Sequence, residues 1–233
     1  MSFDIFKRYE SYNKEELSKE LSLACQYSDM AKVKYLLTSP KLKEHADINM
    51  REGYTLRAAC HNRNYELIEY LLTSEELKEH VDINAKDDEA FIDVCNNGSL
   101  DLVKYFLTSP TLKKHSNINA QNDESFILAC CHGHFEVVKY LASSPELEKH
   151  SNFQTKDDFA FRLAVQNGHL DVLHYLIFDL NIKKTKSIIE ELNESRHKET
   201  INEVKKLFEK RELNSDLKED LLKNTNQIKK IKL

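Results

Sequence analysis

The sequence predicts an all-α fold, a solenoid of stacked helix-turn-helix units with short hairpin tips, and three observations support this prediction. Only 3 Pro and 4 Gly interrupt 233 residues, and the Val-, Ile- and Thr-rich runs typical of strands are missing. Apolar residues recur at helical spacing. One supersecondary unit also repeats every thirty-five residues, which indicates copies stacked on each other. The repeat is clearest in Tyr35, Tyr70, Tyr105, Tyr140 and Tyr175.

Each copy contains two predicted helices. In the third copy, Phe91, Val94 and Cys95 form an apolar stripe at i, i+3 and i+4, which predicts the first helix. Gly98 ends that helix because glycine readily adopts positive φ. The apolar residues between 100 and 107 then predict a second, antiparallel helix.

A loop and a tip connect one copy to the next. Thr108-Ser109-Pro110 begins the loop, in which Ser is a helix cap and Pro a first helical residue. We expect an extended segment at residues 82–85 and a polar tip at residues 86–89, directly before the next first helix.

Several motifs of these copies resemble the ankyrin repeat. Gly133-His134 and Gly168-His169 lie between the paired helices, residues 82–84 read Asp-Ile-Asn, and residues 54–59 keep most of the first-helix pattern of the family. The period exceeds the usual value of about 33, which a shorter tip and a longer loop explain. The resemblance covers residues 14–182 and implies a fold that usually binds proteins.

The repeat pattern divides the chain into four regions. We predict an N-terminal cap helix at 1–13, five repeats at 14–182, a helical cap formed by an eroded sixth repeat at 183–223, and a basic flexible tail at 224–233. Caps are expected because each terminal repeat lacks one neighbour. The five repeats are 14–48, 49–83, 84–118, 119–153 and 154–182.

Composition and charge restrict the class of protein. The chain is 40% hydrophobic and 31% charged, with a mean hydropathy of -0.60, and no apolar run approaches membrane-spanning length. Residues 1–13 lack a hydrophobic signal core, so a cytoplasmic protein is expected. The net charge of -5 combines acidic repeats with a basic region after residue 182.

The cysteine and histidine ladders are predicted to be structural. Equivalent residues of stacked helices lie about 8–10 Å apart, beyond the roughly 7 Å that a disulfide permits. The cysteines are therefore predicted to be free core residues, and the histidines to hydrogen-bond within their loops. These ladders are Cys25, Cys60, Cys95 and Cys130, and His45, His80, His115 and His150.

Metal binding and catalysis find little support. Residues 130–134 read Cys-Cys-His-Gly-His, but Cys130 belongs to the core ladder and His134 to the repeat turn. No phosphate loop, nucleophile elbow or zinc-protease motif is present. We expect no catalytic residues, cofactor or metal, and no nucleic-acid or membrane partner, since the lysines near the C-terminus lack interleaved aromatics.

The resemblance implies that the hairpin tips and the ends of the first helices bind a protein on the concave side. A row of tip carboxylates would favour a basic or mixed-charge partner, with Tyr27, Cys131 and Phe159 as apolar anchors. The protein-binding residues predicted in this way are Tyr27, Glu52, His61, Asp87, Asp88, Glu89, Asn97, Asp123, Glu124, Cys131, His132, Asp157, Asp158 and Phe159.

The sequence thus predicts a monomeric, non-enzymatic protein-binding module. Repeats with the longer Thr-Ser-Pro-x-Leu loop resemble those of bacterial and viral effector proteins, which by analogy implies a host protein as partner and the host cytoplasm as location. Three alternatives stay open: an adaptor whose residues 183–233 recruit a second partner, a structural scaffold, and a small metal-binding or enzymatic protein.

Overall fold

A computed structural model describes residues 5–194 and 197–231 of the chain. Within these ranges the structure describes all side chains except those of Asp157, Glu194 and residues 220–231. All regular structure in the described part is helical, without a strand, which confirms the predicted all-α fold class.

The helices follow the predicted order of pairs. A 3-10 helix, Lys7–Ser11, precedes the α-helices. The α-helices are, in chain order, α1 Lys14–Gln26, α2 Met30–Thr38, α3 Met50–His61, α4 Tyr65–Thr73, α5 Ala85–Asn96, α6 Leu100–Thr108, α7 Ala120–Cys131, α8 Phe135–Ser143, α9 Thr155–Asn167, α10 Leu170–Phe178, α11 Lys186–Glu194 and α12 Lys198–Ile231. The odd-numbered members from α1 to α9 are the first helices of the five copies.

The chain forms two compact units. Unit 1 comprises residues 1–125 and 143–151, and unit 2 comprises residues 126–142 and 152–233. In unit 1 the first helices α1, α3 and α5 pack on each other in turn, and each packs on its own second helix. This stacking of helix hairpins is the packing expected of a repeat solenoid.

Local sequence signals explain where the helices begin and end. Asn13 and Glu16 form a capping box at α1, in which each side chain accepts a hydrogen bond from the other residue's backbone N–H. Gly133 follows α7 with φ of 69°. A Cβ atom there would lie 2.3 Å from Nδ1 of His169, so the close approach of this side chain also requires glycine.

The tips differ from the extended segment and polar loop that the sequence predicts. Lys86, Asp87 and Asp88 all have positive φ, between 53° and 63°, so the tip is a left-handed turn within the first residues of α5. The tips at residues 51–53 and 121–123 have the same conformation. Such backbone is unfavourable for residues other than glycine, so side-chain contacts must hold it in place.

The C-terminal helices of unit 2 pack on the fifth helix pair. α11 contacts α9, and α12 contacts α10 and α9, which is the arrangement expected of a sixth helix hairpin. Phe208 of α12 is fully buried, with its ring 6.0 Å from the ring of Phe161. The eroded sixth repeat at 183–223 stays a prediction. α12 continues without a break past residue 223, so the predicted start of the tail does not coincide with a helix end.

At the N-terminal end, part of the predicted cap helix is a short 3-10 helix. Tyr9 is only 2% exposed, and the ring of Phe6 stacks on that of Tyr35 at 4.8 Å. These contacts cover the end of the first helix pair, as a cap would. Residues 1–4 of the predicted cap lie outside the described residues.

Candidate protein-binding surface

Three of the predicted binding carboxylates are buried. Asp88, Asp123 and Asp158 are 3%, 5% and 4% exposed, although each occupies the third position of a tip. At this depth they cannot contact a partner docked on the surface. The prediction that they bind a partner directly is therefore not supported by their positions.

The buried carboxylates instead hold the tips in their left-handed conformation. Asp88 Oδ1 accepts hydrogen bonds from Asn84 Nδ2 at 2.8 Å and from the backbone N–H of Asn117 at 3.2 Å. The same amide contact joins Asn119 to Asp123 at 2.6 Å. Because asparagine precedes aspartate by four residues in both tips, the sequence contained a signal for this structural role.

The equivalent aspartate of unit 2 has a related role. Asp158 Oδ2 accepts a hydrogen bond from Thr185 Oγ1 at 2.6 Å, just before α11. This contact ties the fifth tip to the C-terminal helices. The neighbouring Asp157, also predicted to bind a partner, has a side chain outside the described part of the structure.

The exposed tip carboxylates of unit 1 are Glu52 and Asp87. Glu52 lies 3.5 Å from Lys86 Nζ, an exposed pair that contributes little stability. Asp87 Oδ2 accepts the backbone N–H of Gln121 at 3.1 Å, which connects two successive tips. Both carboxylates retain oxygens that a partner's cation can reach. Glu124 is half-buried at the start of the next first helix.

Tyr27 is the most prominent apolar group on this surface. Its side chain is 76% exposed at the end of α1, next to Leu23, which is 43% exposed. His61 is exposed at the end of α3, and Asn97, at the end of α5, is half-buried. The carbonyl oxygen of Asn97 accepts a hydrogen bond from Arg63.

A cleft of about 230 Å³ lies among these first-helix residues of unit 1. Arg57 lies between two carboxylates, 2.9 Å from Glu89 and 2.8 Å from Asp93. Asn62 Nδ2 donates to the carbonyl oxygen of Gln26 at 2.5 Å, which ties the ends of α1 and α3 together. The cleft is lined by Gln26, Tyr54, Arg57, Ala58, His61, Asn62 and Asp93.

The remaining predicted residues belong to unit 2. Cys131 is half-buried, and its carbonyl oxygen accepts hydrogen bonds from Asn167 Nδ2 and His169 Nε2, both at 2.9 Å. His132 is exposed, with its ring 6.0 Å from that of His134. Phe159 is half-buried at the end of its tip. The backbone of Cys131 therefore joins two copies.

The loops after the second helices have the contacts that the sequence predicts. Nε2 of each ladder histidine lies 2.9 to 3.1 Å from a serine carbonyl oxygen six residues earlier. Asn84 Nδ2 also donates to the carbonyl oxygen of His115 at 3.1 Å, which connects successive loops. The histidine ladder is thus part of the architecture. The histidines are His45, His80, His115 and His150.

Three clefts larger than the one beside Arg57 lie between successive loops of unit 1, with volumes of about 410, 270 and 450 Å³. Equivalent residues line all three, including a ladder histidine and the isoleucine three residues after it. Since their lining repeats with the architecture, these clefts do not distinguish one copy from another.

The cysteines of the ladder are buried and free, as the spacing predicts. Burial raises the pKa of Cys25 to about 12 and raises that of Cys95 well above its ordinary value. Neutral buried thiols are weak nucleophiles and weak metal ligands. In the described residues, no group of three or more His, Cys, Asp or Glu side chains is arranged to hold a metal ion.

Comparisons with known proteins agree with this architecture. Residues 91–187 match the family model described as ankyrin repeats, in three copies. This match confirms the resemblance inferred from the sequence motifs. No curated protein matches the chain in a sequence search. None of the helices in the described ranges has the length and apolar character needed to cross a bilayer.

Proposed function

Because residues 91–187 match the ankyrin-repeat family, whose repeats indicate a protein–protein interaction module, we propose that the first-helix ends and exposed tips of the chain bind a protein partner. Ankyrin-repeat proteins are generally non-enzymatic. In this proposal unit 1 supplies the main surface, formed by the C-terminal ends of α1, α3 and α5 with the tips at residues 51–53 and 86–88. We call it the helix-end surface.

The observation that carries the proposal is the exposure of Tyr27. The five periodic tyrosines are buried or half-buried, whereas Tyr27, which lies outside their ladder, is 76% exposed. Exposed tyrosines are frequent interface hot spots because they combine a large apolar ring with a polar hydroxyl. Tyr27 also directly follows Gln26, which lines the Arg57 cleft. An anchor beside a cleft is the usual centre of a protein interface.

The charges of this surface favour a basic or mixed-charge partner. Once the buried aspartates are set aside, the acidic residues still outnumber the basic ones. A small surplus of negative charge steers a basic partner toward the surface. The acidic residues are Glu52, Asp87, Glu89 and Asp93, with Glu124 in the neighbouring α7, and the basic residues are Arg51, Arg57, Arg63 and Lys86.

The test is affinity capture from lysates of candidate host cells. A triple variant with Tyr27→Ala, Glu52→Lys and Asp87→Lys removes the anchor and reverses both exposed tip carboxylates. It should lose the proteins that the unchanged chain captures. A matched control with Glu69→Lys and Glu75→Lys changes exposed carboxylates of α4 and its loop, and should retain them. Equal capture by all three proteins would overturn the proposal.

We extend the proposal to the biological setting, on the analogy of the Thr-Ser-Pro-x-Leu loops with effector repeats. In that setting the chain is an effector that acts in the host cytoplasm and engages a host protein. Lysates from hosts and from unrelated cells separate this setting from a general binding role. Capture of the same protein from both kinds of lysate would contradict a host-specific partner.

A second candidate function is that of an adaptor, and the exposed surface of α12 favours it. Leu213 and Leu217 lie one turn apart and are 60% and 52% exposed, beyond Arg211, which donates to the carbonyl oxygen of Ile182 at 2.6 Å. In this role α12 recruits a second protein. Leu213→Ala with Leu217→Ala should then release that protein and leave the partner of Tyr27 bound. Loss of both proteins, or of neither, would argue against an adaptor.

A further inference from the structure

We propose that the Arg57 cleft receives one lysine or arginine side chain of the protein partner. This inference rests on the proposed function, because it assigns a specific contact within the helix-end surface. At about 230 Å³, the cleft is smaller than the roughly 300–1,000 Å³ typical of small-molecule sites. It therefore fits a single side chain better than a free ligand.

The charges of the cleft favour a cation. Arg57 and Asp93 line the cleft, and Arg57 also contacts Glu89, which is not part of the lining. Two carboxylates therefore surround one guanidinium and leave one uncompensated negative charge at the cleft and its edge. Carboxylates accept more than one hydrogen bond each. An ammonium or guanidinium group can therefore bind beside Arg57, whereas an anion would meet the surplus carboxylate. All three side chains are between 28% and 31% exposed, so an incoming group reaches them without unfolding the helices.

One aromatic residue in the cleft and one next to a lining residue match the remaining part of such a side chain. Tyr54 lines the cleft, and Tyr27 is exposed at the end of α1 next to Gln26. Aromatic rings attract cations through their faces, and they also pack against the aliphatic stems of lysine and arginine. The cleft thus provides contacts for both the charged end and the apolar stem.

The cleft is specific to one position in the repeat array. In the following copy, Ile92 occupies the position of Arg57 and Leu128 that of Asp93. The loop-side clefts, in contrast, have equivalent linings in successive copies. Because the charged residues of this cleft do not recur in the next copy, they are better explained by binding of a partner than by the packing of the repeats.

The test uses model side chains and does not require the natural partner. Isotope-labelled full-length chain is titrated with acetyl-arginine methylamide, acetyl-lysine methylamide and the neutral isostere acetyl-citrulline methylamide. The two cations should shift the amide resonances of Gln26, Tyr54, Asn62 and Asp93. Citrulline should bind at least about tenfold more weakly, the effect of losing one charge-assisted contact.

Two variants and a control locate the binding. Asp93→Asn removes the surplus charge. His61→Lys adds a competing cation at the edge of the cleft, and because His61 is exposed, this substitution should not disturb folding. Each substitution should weaken the binding of both cations about tenfold. Asp101→Asn, on the exposed face of α6, should leave the affinity for both cations unchanged. Equal binding of citrulline, shifts spread over other acidic residues, or unchanged binding by His61→Lys would overturn the inference.

The outcomes of this test and of affinity capture are distinguishable. If the cations bind elsewhere but Tyr27→Ala still abolishes capture, the helix-end surface stands and the cleft assignment is wrong. If the cleft binds cations but capture is unaffected by the triple variant, the partner binds another surface. In that case the cleft does not serve the proposed function, and the inference fails together with it.

Discussion

The loops and the helix-end surface of unit 1 use polar residues in different ways. On the loop side, a ladder histidine and an asparagine recur at each thirty-five-residue step, and their side chains bond to backbone carbonyls within or between loops. At the helix ends, the residues change from copy to copy. Tyr27, for example, is replaced by Asn62 and then Asn97.

This difference separates residues that build the repeat from residues available for recognition. Neighbouring tip residues show it most directly: Asp88 is 3% exposed and bonded to two donors, whereas Asp87 is exposed. A carboxylate in a tip is therefore not a binding residue by its position alone. Its burial and its hydrogen bonds decide its role.

The largest effect on stability is expected at Asp88. Asp88→Ala removes one of the two acceptors of Asn84 Nδ2 and the acceptor of the Asn117 N–H, and it places alanine in a left-handed turn. Together these changes should cost about 3 kcal/mol of unfolding free energy. Asp87→Ala also places alanine in the left-handed turn but removes only one exposed acceptor, so it should cost about 1.5 kcal/mol. Urea unfolding of both variants measures the difference, and similar losses would remove the contrast between the two aspartates.

The next largest effect is expected on binding at Tyr27. Tyr27→Ala should weaken the affinity for the captured partner by about 2 kcal/mol, or roughly thirtyfold, as for an interface anchor. Because Tyr27 is exposed, its unfolding free energy should change by less than about 0.5 kcal/mol. Calorimetric titration and urea unfolding test the two parts. An affinity within twofold of the original would place the interface elsewhere.

The buried cysteines should make the stability depend on alkaline pH. Because burial raises their pKa values, the folded chain keeps thiol protons that the unfolded chain releases above about pH 8.5. Stability is therefore fully present below that pH and falls as the pH rises further, by about 1.4 kcal/mol per pH unit for each thiol.

Cys95→Val isolates one of these thiols, since Val165 occupies the same position in the fifth copy and is fully buried. The variant should lose stability less steeply, by about 1.4 kcal/mol per pH unit, between pH 9 and 11. Urea unfolding at several pH values measures the slope. An unchanged slope would show that Cys95 is not held neutral by burial.

The smallest effect is expected in the tyrosine ladder. The hydroxyl oxygen of Tyr105 is buried without a hydrogen-bond partner among the described residues, whereas the Tyr70 hydroxyl donates to Glu76 at 3.3 Å. Tyr105→Phe should leave stability unchanged or raise it by about 0.5 kcal/mol, and Tyr70→Phe should lower it by about as much. Urea midpoints compare the two, and a larger loss for Tyr105→Phe would contradict the difference.

Much of the fold was predictable because it repeats. The helix pairs, the buried cysteines and the histidine contacts within the loops all follow from residues at fixed spacing, such as His80 and His115. The division into two units was not predictable, because the period continues without a break through residues 126 and 143. The left-handed conformation of the tips was also missed, because at residues 86–88 it depends on a side-chain hydrogen bond between Asn84 and Asp88.

The candidate surface was predictable only in part. Tyr27 and His61 were identified because they interrupt the ladders, and both are exposed. The aspartates were assigned to the surface from tip position alone, which cannot reveal that the third tip residue points inward. The Arg57 cleft was not predicted, although Arg57 and Asp93 also differ from the apolar residues Ile92 and Leu128 of the next copy.

The most direct test of the helix-end surface is site-specific photo-crosslinking. A benzoylphenylalanine replaces His61 at the surface in one protein and the exposed Glu69 of α4 in another, and each is irradiated with the captured partner. If the partner binds the helix-end surface, a covalent complex should form from position 61 and none from position 69. A crosslink from position 69 without one from position 61 would contradict it.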